Sequence, residues 1–511
     1  MELTNKKAIH LSSIKSSKLN SIFSQIFRNK IFILYIIFWS IRFINIDQPI
    51  FDGAAYRQVV TSSVVRFLFT EGISLDNILH PKEYRDNYDS YFVSEIPIYN
   101  ALVALICKIY GSYEEWIGRF ISILLSGLAG FYFYRLLINY TSQRIAKIAL
   151  IVYCFSPLSI IYTRAIQPNP SMLFFLMATI YHFDKYLREP KWKAYYLAIF
   201  SGMILFLLNA AMQTIGILFL YLSIRKYGVR VFSNYKIYFM AICMLIPCWL
   251  WIIHANIFLE NNLNNVTFGP MYKDILPFSS FSSLSDYGFY KLHFELLTGQ
   301  ILTPIGFGLF VLGLGLLWKE DLLLIFWLIS FVIFWILINT GMMHPYYYLP
   351  CLFPVAWTIA NSISFIYDNL PVNSIYRKKS GLLVLTFFTA GIIAGYSNSA
   401  FITPNSVKMV PAAVESLNKY FPKNVFGVIS PSNVNVLGYH VDRKVKVLEG
   451  NLPLEKKQNF IKILKYNKPE FYLSIYPDED YTNRNEFSTF LKKNYPITEL
   501  KNNKFVLYTI K

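Results

Sequence analysis

The sequence predicts a polytopic α-helical membrane protein of about eleven to thirteen spans, followed by a small soluble α/β domain. Three observations predict it. The 511 residues are 55% hydrophobic and 18% aromatic but only 15% charged, which is far more apolar surface than a soluble fold of this size needs. That surface falls in blocks of about 15 to 25 residues, the length that crosses a bilayer as a helix. Beyond about residue 404 the composition turns abruptly charged and turn-rich.

The predicted spans are about 31–46, 116–138, 144–162, 171–187, 194–208, 210–225, 235–254, 301–318, 322–339, 346–368 and 381–397. Alternate connections are strongly basic: the N-terminus with Lys6, Lys7, Lys15, Lys18, Arg28 and Lys30, then Arg135 to Lys147, Lys185 to Lys193, Arg225 to Lys236, Lys319, and Arg377 to Lys379. By the positive-inside rule these face the cytoplasm and the intervening loops face out. Residues 1–30 are thus expected to be a cytoplasmic N-terminus. With no small-residue cleavage site after it, the first span reads as an uncleaved anchor. Because Lys185–Lys193 and Arg225–Lys236 share a side, the run 194–225 must cross an even number of times and break near Asn209 to Gln213. The same parity makes Ile96 to Gly111 a re-entrant or interfacial helix. Eleven spans from a cytoplasmic start place the tail, 404–511, on the external side of a plasma (inner) membrane. Within it, β runs are expected at Val425–Ser430, Val445–Leu448, Glu470–Tyr476 and Lys504–Ile510, and helices at Ala412–Phe421, Leu454–Tyr466 and Asn485–Asn494.

A net charge of +18 would suggest a nucleic-acid partner in a soluble chain. Here the basic residues lie in the short loops that set orientation, so no nucleic-acid partner is expected. Cys107, Cys154, Cys243, Cys248 and Cys351 all lie in apolar segments without metal-ligand spacing and read as small core residues.

The polar interval between the first two spans, 47–115, is where chemistry concentrates. It contains Phe51-Asp52-Gly53-Ala54-Ala55-Tyr56-Arg57-Gln58 and Ser94-Glu95-Ile96-Pro97. Asp52 reads either as a helix N-cap or as a general base at the membrane surface. Arg57 and Thr61, at i and i+4, share a helix face that would present a cation to a phosphate; the plainer reading of Arg57 is an arginine snorkelling to headgroups. Glu95 reads as an acid in the first turn of the following helix or as a second functional carboxylate.

Arg119, near the outer end of the second span, is costly unless paired with a carboxylate, Glu95 being the expected partner, or with an anion. Arg164 is the lone basic residue of the turn Tyr162 to Pro170, against the positive-inside trend. In His344-Pro345-Tyr346-Tyr347-Tyr348-Leu349-Pro350 an aromatic belt accounts for the tyrosines but not for His344. The charge-derived topology puts all these residues on the outer face.

Together these residues resemble the GT-C glycosyltransferases. The resemblance rests on the first-loop Asp followed by Arg57-Gln58, the Glu-x-Pro of Glu95, Gly111 then Arg119, Ser156-Pro157 ahead of Arg164 and Gln167-Pro168-Asn169, and the His-x-Tyr-Tyr-x-Leu-Pro element. The branch most similar is the dolichyl-phosphate-mannose protein mannosyltransferase-like family, which includes the lipid A aminoarabinose transferase, and the likeness extends over 31–400. It implies a GT-C-like transmembrane catalytic domain that transfers a sugar from a polyprenyl-phosphate donor to a lipid, glycan or protein acceptor. By position, Asp52 matches the first-loop acid taken as catalytic base or acceptor-orienting group, and Glu95 the acid opening the Glu-x-Pro helix. Arg164, Arg57 and Arg119 would bind the donor phosphate, while Tyr56, Gln58, Asn169, His344 and Tyr347 would contact substrate. Two departures matter. The lysine that often follows the glutamate is Ile96 here, and the Pro-Asp or Pro-Glu of the later external turn is Pro168-Asn169.

The residue types fit that chemistry. An activated anomeric carbon needs a base for the acceptor and positive charge for the departing phosphate, which arginine pairs bidentately. No cofactor is expected, and a divalent metal is neither required by this chemistry nor excluded by it. Two other classes remain open on sequence: a polytopic transporter or flippase of lipid-linked sugars, which would place charged or broken helices near the bilayer midplane, and a catalytically inactive GT-C-like scaffold or binding subunit, which the Ile96 and Asn169 departures allow.

Overall fold

The computed structural model describes residues 30–52, 55–83, 90–262, 266–268, 284–317, 322–338, 344–371, 386, 389–391, 393, 409–430, 434–441, 445–448, 453–475, 486–501 and 505–510. The first predicted span becomes α1 (Lys30–Trp39), tightened at its end into a 3₁₀ turn, Ser40–Phe43. The polar interval folds as α2 (Ala55–Thr70), α3 (Leu75–Leu79), β1 (Lys82–Glu83), β2 (Ser90–Phe92) and α4 (Ile98–Tyr110). Gly111, at φ +100°, supplies the left-handed residue that ends α4 and donates its N–H to Cys107 O. The re-entrant or interfacial helix expected from Ile96 to Gly111 is thus a 13-residue helix.

The next helices begin close to where the sequence places the predicted spans. Helix α5 (Glu115–Leu137) is followed by α6 (Gln143–Phe155), whose first turn is capped by Ser142, and α7 (Pro157–Tyr162), capped by Ser156. Pro157 ends α6, because it has no N–H to continue the ladder, so the 144–162 run is two helices and not one. Helix α8 (Asn169–Arg188) leads to α9 (Trp192–Leu208) and α10 (Gly216–Tyr227), separated by the 3₁₀ segment Ala210–Ile215. That is the break expected near Asn209 to Gln213. Asn209 makes it by accepting the Ala211 N–H at 3.1 Å with its side chain. Helix α11 (Tyr235–Asn261) presents Leu250, Ile253 and Ile257 outward, each more than half exposed, and is followed by β3 (Val266–Phe268), which pairs parallel with β2.

Helices α12 (Tyr287–Leu296), α13 (Thr303–Gly315), α14 (Leu322–Ile338) and α15 (Leu352–Asn369) complete the helical part. A π turn at Leu297–Ile301 joins α12 to α13, and the pair is bent by 111°. The sequence reading has no counterpart for α12. Helices α13 and α15 touch at Gly313, where a Cβ would sit 2.4 Å from the Thr358 carbonyl oxygen, so only glycine permits the approach. By length and composition, Glu115–Leu137, Tyr235–Asn261 and Pro345–Asn369 are able to cross a bilayer among the described residues, with the bent pair a fourth if read as one span. The 381–397 run lies almost wholly outside the described residues.

Aromatic side chains hold the bundle centre. Tyr153 stacks on Trp39 at 5.5 Å and on Phe353 at 4.9 Å, and Phe353 lies 5.1 Å from Phe133, so α1, α5, α6 and α15 share one buried cluster.

After α16 (Val410–Tyr420) come β4 (Gly427–Ser430), α17 (Val434–Val441), β5 (Val445–Val447), α18 (Pro453–Asn467), β6 (Phe471–Ile475), α19 (Glu486–Asn494), β7 (Ile497–Lys501) and β8 (Phe505–Thr509). The sheet order is β5-β4-β6-β8-β7, parallel across β5, β4 and β6 and antiparallel thereafter. The four expected strands and three expected helices are present; β7 and α17 are additional. Helix α17 has the sequence VNVLGYHV, whose β-branched residues and glycine are poor helix formers, so packing and not propensity makes it a helix. It packs on α2.

Candidate active site

Helix α2 carries the organising side chain. Gln58 is fully buried; its Nε2 donates to Asp52 Oδ1 at 2.9 Å, and its Oε1 accepts the Ile166 N–H at 3.0 Å. One amide therefore ties the first-loop acid to the turn between α7 and α8. Arg119, from the second turn of α5, brings Nη2 to 3.3 Å from the same Asp52 oxygen. Its Nη1 donates to the carbonyls of Ile46, at 3.1 Å, and Gln48. Both of the Asp52 contacts fall on Oδ1, and none among the described residues falls on Oδ2.

Arg164 reaches the same loop from the other side, donating from Nη2 to Asn45 O at 2.9 Å. Burial lowers its pKa to about 10, the charge of Asp52 opposes that shift, and the nearby guanidiniums of Arg119 and Arg42 add to it. Arg42, 1% exposed, donates to Thr163 Oγ1 (2.6 Å), Cys154 O (2.7 Å) and Ser159 Oγ (2.9 Å) and lies 3.6 Å from the Trp39 ring centroid. Arg119 and Arg164 thus both lie within reach of the Asp52 charge, and the Arg42 charge acts on Arg164.

A second, more open group lies one residue along α2. Arg57 pairs with Glu95, both side chains 16% exposed, and Ser94 Oγ donates to Glu95 Oε2 at 2.7 Å. Burial alone would lower the Arg57 pKa; the Glu95 carboxylate outweighs it, with Tyr346 and Tyr347 acting in the same sense, and the net shift is upward. His344 stacks on Tyr346 at 5.1 Å, with Tyr347 at 6.2 Å, and burial together with the Arg57 charge lowers its pKa. Asn169 Nδ2 donates to Tyr346 O at 3.4 Å, joining the start of α8 to this element.

The structure brings together Asp52, Gln58, Arg119 and Arg164 in one group and Arg57, Glu95, His344, Tyr347 and Asn169 in the other. Tyr56, 41% exposed, stands outside both. The pairing differs from the sequence reading: Arg119 pairs with Asp52 and not with Glu95, whose partner is Arg57. Nor does Thr61 present a polar face with Arg57, since it is buried and its hydroxyl donates to Arg57 O at 2.9 Å. Glu95 also precedes the first turn of α4, because Pro97 is the cap residue. The cap role for Asp52 involves residues 53–54, which lie outside the described residues. Arg42 was missed because it sits in an apolar run read as a span; an arginine in such a run is itself the signal. Gln167, fully buried, has no hydrogen-bond partner for either amide atom among the described residues. Among the described residues, no three His, Cys, Asp or Glu side chains gather so as to hold a metal ion.

Residues 94–254 match the family model "Dolichyl-phosphate-mannose-protein mannosyltransferase". That stretch contains Glu95, Arg119, Arg164 and Asn169, while Asp52, Arg57, Gln58 and His344 lie outside it. No curated protein sequence matches the chain. Among solved structures, ArnT from Cupriavidus metallidurans bound to undecaprenyl phosphate is similar with a TM-score of 0.62 at 12% identity, over 94% of this chain and 97% of that one. The oligosaccharyltransferase of Archaeoglobus fulgidus, tethered to an acceptor peptide, gives 0.53 at 12% identity, over 96% of this chain and 75% of that one. Arabinofuranosyltransferase AftD from mycobacteria gives 0.50 at 10% identity, over 94% of this chain and 41% of that one. The chain has the GT-C glycosyltransferase fold, and over residues 94–254 it carries the dolichyl-phosphate-mannose-protein mannosyltransferase match.

Proposed function

We propose that this protein is a multi-pass membrane glycosyltransferase that moves a sugar from a polyprenyl-phosphate donor to an acceptor on the external face of the plasma membrane, with inversion. Residues 31–400 form its catalytic domain and 404–511 an external domain. The exposed apolar ridge of α11 and the basic alternate loops support the membrane setting. The single observation that carries the chemistry is Asp52: Oδ1 is fixed by Gln58 and Arg119, leaving Oδ2 to take a proton.

In this reading the acceptor hydroxyl gives its proton to Asp52 Oδ2 as its oxygen bonds to the anomeric carbon. The anomeric carbon–phosphate oxygen bond breaks, and polyprenyl phosphate leaves with the electron pair. Arg164 is the leading phosphate ligand, because it is the lone basic residue of its turn against the positive-inside trend, with Arg57 next and Arg119, ion-paired with Asp52, third. An anion beside Arg164 would be favoured by its buried guanidinium, which burial and the Arg119 and Arg42 charges make costly to keep charged. Glu95 holds the Arg57 fork, and Asn169, His344 and Tyr347 form the open wall on which a sugar or acceptor would rest, with exposed Tyr56, outside that group, a further substrate contact. The similar ArnT structure holds undecaprenyl phosphate, which favours a lipid-linked donor, and the archaeal oligosaccharyltransferase structure holds an acceptor peptide, which favours an acceptor site; sugar and acceptor are left to experiment.

The bent α12–α13 pair is the feature a transporter would claim. Its Lys291, His293 and Glu295 all lie in α12 before the bend, and no ionisable side chain lies from Leu296 to Gly315. Purified protein offered a panel of polyprenyl-phosphate sugars should release polyprenyl phosphate from at least one of them in the presence of acceptor, and Asp52→Asn should not. Sugar translocation without release would favour the transporter.

A further inference from the structure

Ile50, two residues before Asp52, is held at its N–H by Glu115 of α5 and at its carbonyl by His440 of the C-terminal domain. The Ile50 N–H donates to Glu115 Oε2 at 3.1 Å, and the Glu115 carboxylate lies near the Tyr439 hydroxyl, whose pKa burial raises and the Glu115 charge helps to raise. The Ile50 carbonyl oxygen lies 3.3 Å from His440 Nε2, and the Phe51 ring stacks on the His440 ring at 4.2 Å. Tyr439 and His440 are neighbours on α17, the helix that propensity does not foresee. That helix is itself anchored to the transmembrane part: Tyr439 Oη and Tyr113 Oη are 2.7 Å apart, Arg66 Nη1 donates to Tyr439 O at 3.4 Å, and the Arg66 guanidinium lies 4.3 Å from the Tyr439 ring centroid. Tyr439 is 2% exposed and Phe51 3%.

We propose that Tyr439 and His440, with Glu115, are positioning residues for the Asp52 carboxylate, so that the C-terminal domain completes the active site of the membrane domain. Arg119 straps the loop from below through the carbonyls of Ile46 and Gln48 and the Asp52 carboxylate. Helix α17 closes it from the other side. With Ile50 fixed at both its N–H and its C=O and Phe51 clamped by a ring, little freedom remains in the backbone that aims Asp52 Oδ2. Displacing a reacting group by about 1 Å is enough to cost on the order of a hundredfold in rate. Burial lowers the His440 pKa to about 4, with Arg66 and Arg119 adding to the shift and the Ile50 bond opposing it. At neutral pH the imidazole is therefore uncharged and presents one N–H, the donor that the Ile50 carbonyl needs.

The inference rests on Asp52 as the proton acceptor, so the test runs His440→Ala, His440→Phe and Tyr439→Phe beside Asp52→Asn in the full chain. His440→Ala should lower turnover about tenfold to a hundredfold while leaving the affinity for polyprenyl phosphate within about twofold. His440→Phe, which keeps the ring stack, should recover part of that loss. Hydrogen exchange should quicken in peptides covering 46–52 in His440→Ala, and in Tyr439→Phe to a smaller degree. Wild-type turnover in His440→Ala beside an inactive Asp52→Asn overturns the positioning role and leaves the Asp52 assignment standing. Equal loss of turnover and of polyprenyl-phosphate affinity in His440→Ala, with no recovery in His440→Phe, marks a structural role only and also overturns it. Full activity in Asp52→Asn removes the assignment itself and the inference with it.

Discussion

Arg119 and Asp52 form an ion pair sealed from solvent, Nη2 to Oδ1 at 3.3 Å with the side chains 0% and 4% exposed. Sixty-seven residues separate them in sequence. The pair sets the geometry of the candidate site, because the same guanidinium also gathers the carbonyls of the loop that carries the acid.

Removing one partner of a buried pair leaves an uncompensated charge, at a cost of about 3–5 kcal/mol. Arg119→Met should therefore lower the thermal unfolding midpoint of the purified protein clearly, and Asp52→Asn in addition should restore part of it. An unchanged midpoint in Arg119→Met would contradict the pair.

Arg164→Lys keeps the charge but loses the planar fork that matches a phosphate. Donor affinity, measured apart from turnover, should fall about tenfold or more, since a bidentate charge-assisted contact is reduced to a point charge. Arg57→Lys should weaken it less, because Glu95 already occupies that guanidinium. Undiminished affinity in Arg164→Lys, Arg57→Lys and Arg119→Lys alike would mean that the chain does not bind a lipid phosphate.

Much of this arrangement is legible in the sequence. The starts of several helices, the break at Asn209 and the tail's strands follow from apolar run length, loop charge and turn residues, all of them local signals. Asp52, Arg119 and Arg164 stand out because charged residues at span ends are costly. Their pairing is not legible, since which carboxylate meets which guanidinium depends on how α2 and α5 are packed, and Arg119 is as close to Glu95 in sequence as an unguided choice would prefer. Helix α17 escapes for a related reason: Val434 to Val441 favours no helix by itself, and its partners, Ile50, Arg66 and Tyr113, are more than 300 residues away.

His440 titration gives a pH signature. Its folded pKa, about 4, lies below the ordinary value near 6.5, so the unfolded chain binds the proton more readily between those values. The stability contributed by the neutral imidazole is fully present above about pH 6.5 and is lost progressively as pH falls to about 4, by on the order of 3 kcal/mol. Unfolding midpoints followed from pH 7 to pH 4.5 should fall less in His440→Phe than in the wild type. Parallel curves for the two would contradict it.

The proposed topology puts the C-terminal domain outside. A reporter active only in the cytoplasm, fused after Lys511, should be silent, whereas one that needs export should be active. A strong cytoplasmic signal would mean an even number of crossings before residue 404.

The central claim is that Asp52 takes the acceptor proton, and turnover of a lipid-linked sugar by purified Asp52→Asn tests it most directly. The substitution keeps shape and an oxygen for Gln58 and Arg119, so expression and donor affinity should persist while turnover falls by about a hundredfold or more, the scale of a lost general base. Turnover within a few-fold of wild type would contradict the account.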